Sequence, residues 1–416
     1  MSDRASTPST AARDACLEAL RLVAIAGIAV FHTFQPWFDG AVEHWWGPSA
    51  PLLFALGCIN LLGAFGNHVF FAASGLFLVP HAISTAGGRD HWRLQVRRAG
   101  RRALVILASV ALYVALVLAT DAWLTPLDSI SPDDPEWLLG SLEFIWVYLA
   151  LVLLAPVVGW AWRRARRPEA LVAASILVVF ALNAFIAFVS PGEAERELLE
   201  WRKLMSAVTY LASFLAGGWL GMLRQRGGTT LADKATRLSG SLRGKPMWLG
   251  SPWPLFVVLA LTLAIEWRAA AADNVELIAA LSYKSTSLLS FALALTAINA
   301  VAGPIRGKRG ADENVRREKP ARSPGQGTPA RSRAACLVCW LTPAILGFYI
   351  FQSLFSDLWR PPMQALTEHA IADLGELPFL LDGIAASLAL LASVLVVDRI
   401  VRVPLTRLLQ ERLSKR

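Results

Sequence analysis

Two ionisable side chains, Arg21 and His32, fall inside the first apolar stretch, residues 18–36. Charge in membrane hydrocarbon is costly, so such residues point to a site or to a buried pairing. They are eleven positions apart. At 100° per residue that closes to within about 20° of three turns, which puts both on one helix face about 16 Å apart along the axis. A guanidinium keeps its charge and grips oxyanions in a two-pronged fashion, so Arg21 reads as a phosphate anchor. A neutral imidazole deep in the protein reads as a general base or nucleophile. The competing reading has Arg21 snorkelling to the headgroups and His32 packing through a hydrogen bond.

A second polar series follows. Asn60, Asn67, Ser74 and His81 recur every seven residues, so they form one slowly drifting stripe that faces another helix or a cavity. Gly75, beside Ser74, admits the close approach of a backbone or a ligand. His68 reads as structural. Beyond this series come Arg89, Arg93, Arg97, Arg98, Arg101 and Arg102, with no lysine across 80–102. At helical spacing these make a broad arginine face. Topology alone explains part of it, while the exclusive use of arginine leans toward phosphate or nucleotide binding.

The elements that position these groups must be membrane-spanning helices. The 416 residues are 55% hydrophobic and only 17% charged, where soluble domains carry about a quarter charged residues, and this excludes an ordinary soluble enzyme. Ten apolar runs are expected to cross the bilayer: 18–36, 52–79, 103–122, 138–160, 170–190, 204–223, 247–267, 278–301, 335–356 and 378–401. Each approaches the ~20 residues that a spanning helix needs. The runs are continuous and rich in Leu and Ala, whereas barrel strands alternate. With alternate connections assigned to opposite sides, 33 Lys and Arg fall on one side and 5 on the other, which predicts both termini in the cytoplasm. Several of the 16 Trp lie near run ends, as in an interfacial aromatic belt.

The predicted fold is therefore all-α, a bundle of about ten transmembrane helices. Residues 1–13 are expected to be a disordered tail and 14–302 the first eight spans with the chemistry. Residues 303–334 read as a disordered basic cytoplasmic linker and 335–416 as the last two spans with a cytoplasmic tail. No cleavable signal is expected before the first run, which lacks a small-x-small site. Cys336 and Cys339 have no second pair or histidine cluster near them in sequence, so no metal site is expected.

The stretch Leu17-Glu18-Ala19-Leu20-Arg21 with His32 eleven residues after the arginine, then Phe70-Phe71-Ala72-Ala73-Ser74-Gly75-Leu76-Phe77, then Arg97-Arg98-x-x-Arg101-Arg102, resembles the family 3 transmembrane acyltransferases. These are bacterial inner-membrane proteins that O-acylate cell-surface carbohydrates, among other acceptors. Looser likenesses lie at Trp146-x-Tyr148-Leu149 and Phe214-Leu215-Ala216-Gly217. Glu18 stands where the family usually has Asp, Leu76 where it has an aromatic residue, and Gln352 where many members carry the histidine of a Tyr-x-x-His element begun here by Tyr349.

The resemblance implies a cell-membrane enzyme with cytoplasmic acyl-CoA as co-substrate and no further cofactor. The acyl group, expected to be acetyl, would pass to a hydroxyl of a cell-surface or lipid-linked glycan. Arg97, Arg98, Arg101 and Arg102 with Arg21 would hold the CoA phosphates. The pantetheine arm would thread toward His32, which would act as base or acyl carrier. Asn67, Ser74, Gly75 and Glu143 are expected in the pocket, Ser74 toward the thioester carbonyl. Glu143 would orient His32 or the acceptor, or pair with Lys284. The rival readings are a non-catalytic transporter or flippase using the same polar groups as a path, and a membrane scaffold, which leaves the intramembrane pair unexplained.

Overall fold

The computed structural model describes residues 15–131, 136–189, 198–226, 249–283, 286–302 and 333–414. The expected tail at 1–13 and nearly all of the linker at 303–334 lie outside the described residues. Among the described residues there is no strand. The helices are α1 (Ala15–Val42), α2 (Ala50–Thr85), α3 (His91–Trp123), α4 (Glu136–Ser141), α5 (Glu143–Arg164), α6 (Pro168–Phe188), α7 (Leu198–Arg226), α8 (Trp253–Ala271), α9 (Val275–Ser282), α10 (Leu288–Val301), α11 (Arg333–Leu341), α12 (Ile345–Leu354), α13 (Ser356–His369), α14 (Glu376–Ile400) and α15 (Arg402–Ser414). Nine spans among the described residues are long and apolar enough to cross a membrane. The protein is an all-α multi-span membrane protein.

The run expected at 278–301 is split between α9 and α10. Its hydroxyl-rich middle favours caps over continuous helix. Ser287 caps α10 by accepting from the Ser290 N–H. The run at 335–356 is α11 and α12 joined by a 3₁₀ turn at Thr342–Ala344, where Pro343 supplies no N–H to an α-helical ladder. Past the run at 378–401 the chain continues as α15.

α2 is the axis of the bundle, packing against α1, α5, α7, α8 and α10. Its N-terminus is set by Ser49, whose Oγ accepts from the Leu52 N–H, with Pro51 in the first turn, the position where a missing N–H costs nothing. The contact with α7 is the closest. A Cβ on Gly75 would overlap the carbonyl oxygen of Phe214, and one on Gly217 would overlap that of Ala72. Without side chains at these positions the two backbones meet directly, as at small-residue membrane helix contacts.

α14, α15 and α3 are joined by buried charge. Arg402 donates from Nε to Asp398 Oδ1 and from Nη2 to Oδ2, both at 2.7 Å. Tyr113 of α3 donates to Asp398 at 2.7 Å, and Ser109 and the Pro343 carbonyl accept from the same guanidinium. The carboxylate is thus doubly gripped by the guanidinium and bonded once more by the phenol, which is what a buried ion pair requires.

Candidate functional site

A cavity of about 640 Å³ opens between α1, α2, α3, α5, α12 and α15. α1 contributes Arg21; α2 contributes Phe70, Ala73, Ser74, Phe77 and Leu78; α3 contributes Arg102, Val105 and Ile106. Phe144, Tyr148 and Val152 of α5, Ile345, Leu346 and Tyr349 of α12, and Gln410 of α15 close it. A second cavity of about 460 Å³ is lined by His81, Arg98, Arg101, Arg102 and Gln410. Arg102 and Gln410 belong to both, so a polar, cationic vestibule adjoins a mainly apolar chamber.

Arg21 reaches the chamber because α1 begins six residues earlier and carries Glu18 one turn back. Glu18 Oε2 lies 3.1 Å from the Arg21 guanidinium, which also lies over the Phe70 ring, 5.5 Å from its centroid. Carboxylate and π-face both favour the cation. At the vestibule Arg98 donates to Nε2 of His81 at 2.5 Å, joining the last turn of the α2 stripe to the arginine face of α3. Arg89 precedes α3, so the helical part of that face begins at Arg93. Arg97 is exposed on α3 and lines neither cavity.

Ser74 lines the chamber, but its hydroxyl donates to the Phe70 carbonyl one turn back, at 2.8 Å. Gly75 turns away, against α7. Asn67 does the same, donating to the Tyr210 hydroxyl at 3.0 Å. Glu143 opens α5, within electrostatic reach of Tyr210; the chamber is reached by its neighbour Phe144. The Lys284 partner expected for Glu143 lies outside the described residues. His68 is fully buried, with Nδ1 2.8 Å from Ser213 Oγ.

His32 is not part of either lining. It is half-buried farther along α1, with Nδ1 3.3 Å from Gln35 Oε1 and its ring 4.8 Å from that of Phe31. Arg21 and His32 are therefore at two levels of the molecule: the arginine at the chamber, the imidazole about 16 Å farther along the helix axis. The structure brings together Arg21, Ser74 and Arg102, with Arg98 and Arg101 next door, and holds His32, Asn67, Gly75 and Glu143 outside that lining.

Among the lining residues that the sequence reading did not assign to a pocket are Phe144, Tyr349, quoted there only as the start of a family element, and Gln410. Phe144 and Tyr349 stack with centroids 4.2 Å apart, a pairing of residues 205 positions apart that local pattern does not carry. Gln410 had a signal. Leu405, Leu408, Leu409 and Leu413 recur at helical spacing, which marks a helix where a tail was expected.

The scattered sequence elements also meet. Trp146 donates from Nε1 to the Leu138 carbonyl at 3.2 Å, fixing the entry to α5 that carries Tyr148 to the chamber. Phe214 and Gly217 are the α7 side of the backbone contact with Ala72 and Gly75. Among curated proteins and among solved structures, none matches the chain. The family model described as the acyltransferase domain, that of the family 3 acyltransferases, matches residues 14–398, nearly the whole chain, and the protein belongs to that family.

Proposed function

We propose that this membrane acyltransferase moves an acetyl group from cytoplasmic acyl-CoA to a hydroxyl of a cell-surface or lipid-linked glycan, in the cell membrane of a bacterium. The supporting observation is the pair of adjoining cavities. Arg98, Arg101 and Arg102 surround a vestibule suited to a phosphorylated nucleotide, and Arg102 passes it on to an apolar chamber suited to a pantetheine arm and a short acyl chain. The diphosphate binds in the vestibule, the arm lies along Phe77, Leu78 and Ile106, and the thioester reaches the level of Arg21 and Phe70.

His32 stands about 16 Å farther along α1 than Arg21, toward the end of the helix that the charge distribution predicts to lie outside. In this reading it takes the proton of the acceptor hydroxyl. Donor and acceptor then approach the reacting carbon from opposite faces of the membrane. A transporter would need no separate cationic vestibule for a nucleotide, and the family is one of acyltransferases.

The test is mass spectrometry of surface glycans from a strain lacking the protein, restored with the wild-type chain or with His32→Ala at matched membrane levels. Acylation is expected to return with the wild type and to stay absent with His32→Ala. Normal acylation in the deletion strain would overturn the glycan reading.

A further inference from the structure

The chamber contains a hydroxyl with nothing to bond. Tyr349 is 8% exposed and lines the cavity beside Arg21 and Ser74. Its phenolic oxygen has no hydrogen-bond partner among the described residues. The ring is held in place by stacking on Phe144, with the planes 8° apart, and by the edge-on ring of Phe70 at 5.2 Å. An unpaired buried hydroxyl costs folding free energy, so its presence asks for a partner that arrives later. The other hydroxyls of the lining are placed differently. Ser74 spends its proton on the Phe70 carbonyl, and Tyr148 lies within electrostatic reach of Arg102, toward the vestibule.

We propose that the Tyr349 hydroxyl donates a hydrogen bond to the thioester carbonyl oxygen of the acyl donor, a catalytic role that rests on the acyl-CoA reading above. During transfer a bond forms between the acceptor oxygen and the carbonyl carbon, and the C=O π pair moves onto oxygen. The Tyr349 O–H, its oxygen already held in place by the stacked ring, bonds most strongly to that oxyanion. Collapse restores C=O and breaks the C–S bond, and its electron pair leaves on the CoA sulfur. The acceptor's proton leaves by way of water to the base on the acceptor side, and the thiolate takes a proton from solvent. Tyr349 keeps its own proton throughout. The aromatic stack sets the direction of the donor, and the deletion of one oxygen leaves that stack in place.

The experiment compares wild type with Tyr349→Phe in two measurements. Thermal unfolding of the purified full chain in detergent reports on folding: removing a hydroxyl with no partner leaves the midpoint unchanged or raises it. A fall would assign the oxygen a structural bond and overturn the proposal. Transfer of label from radioactive acetyl-CoA is then followed in inside-out membrane vesicles of the source strain. Loss of one oxyanion donor lowers kcat roughly 100-fold, with KM for acetyl-CoA within a few-fold of wild type. If wild type transfers label and Tyr349→Phe does so equally well, the role of Tyr349 falls and the acyltransferase reading stands. If wild type transfers none from acetyl-CoA, the donor reading falls and takes this inference with it.

Discussion

Arg21 makes two contacts at once, a carboxylate from its own helix and the face of Phe70 from the next, and these leave its planar fork at the wall of the chamber. Arg21→Lys keeps the charge and loses the fork. It is expected to raise the acyl-CoA concentration needed for half-maximal transfer about tenfold, read by donor titration in membranes; a wild-type titration curve would reduce Arg21 to a boundary anchor. Asp398 offers the complementary case of a charge whose work is structural. Asp398→Ala leaves the Arg402 guanidinium buried without its carboxylate, a loss of about 3–5 kcal/mol, visible as a lower unfolding midpoint in detergent. The sequence shows Asp398 and Arg402 at i, i+4 spacing, but position alone reads Asp398 as the end of the last expected run, 378–401, and Arg402 as the start of the tail. Their burial depends on Tyr113 and Ser109, nearly 300 residues away.

At the scale of elements, apolar run length was the legible quantity, because a bilayer of fixed thickness demands it. Nine of the ten expected runs appear as long spans. The break between α9 and α10 was hidden, since a run averaged for hydropathy conceals the capping hydroxyls of Ser282, Thr286 and Ser287. α13 was hidden for the opposite reason: it is short, it carries Pro361 and Pro362, and its polarity removes it from a search for spans. The chamber was half legible. Arg21, Ser74 and the arginine face are local motifs, while Tyr349 and Gln410 arrive through packing of distant helices. The α2–α7 contact is where element geometry can be tested. Gly217→Leu forces α7 off the Ala72 carbonyl, an overpacking of about 1–3 kcal/mol or more, and is expected to reduce accumulation of folded protein and lower the unfolding midpoint. Gly100→Ala, at a position with nothing within 4 Å of the added carbon, serves as the control with neither effect.

For the molecule as a whole, the proposed function depends on which end faces the CoA pool. The 33 to 5 division of Lys and Arg predicts that the vestibule opens to the cytoplasm. A reporter fused after Arg416 is expected inside and one inserted at 130–134 outside, read by side-specific enzyme activity; the reverse would separate the vestibule from its donor. Movement is constrained as well. The direct backbone contact of Gly75 and Gly217 with the facing carbonyls ties α2 and α7 into one post, along which neither helix can slide or roll without collision. On the acyl-CoA reading, the breathing that admits a bulky nucleotide thioester and lets the free thiol depart is therefore expected of the opposite wall, where α12 and α15 line the chamber.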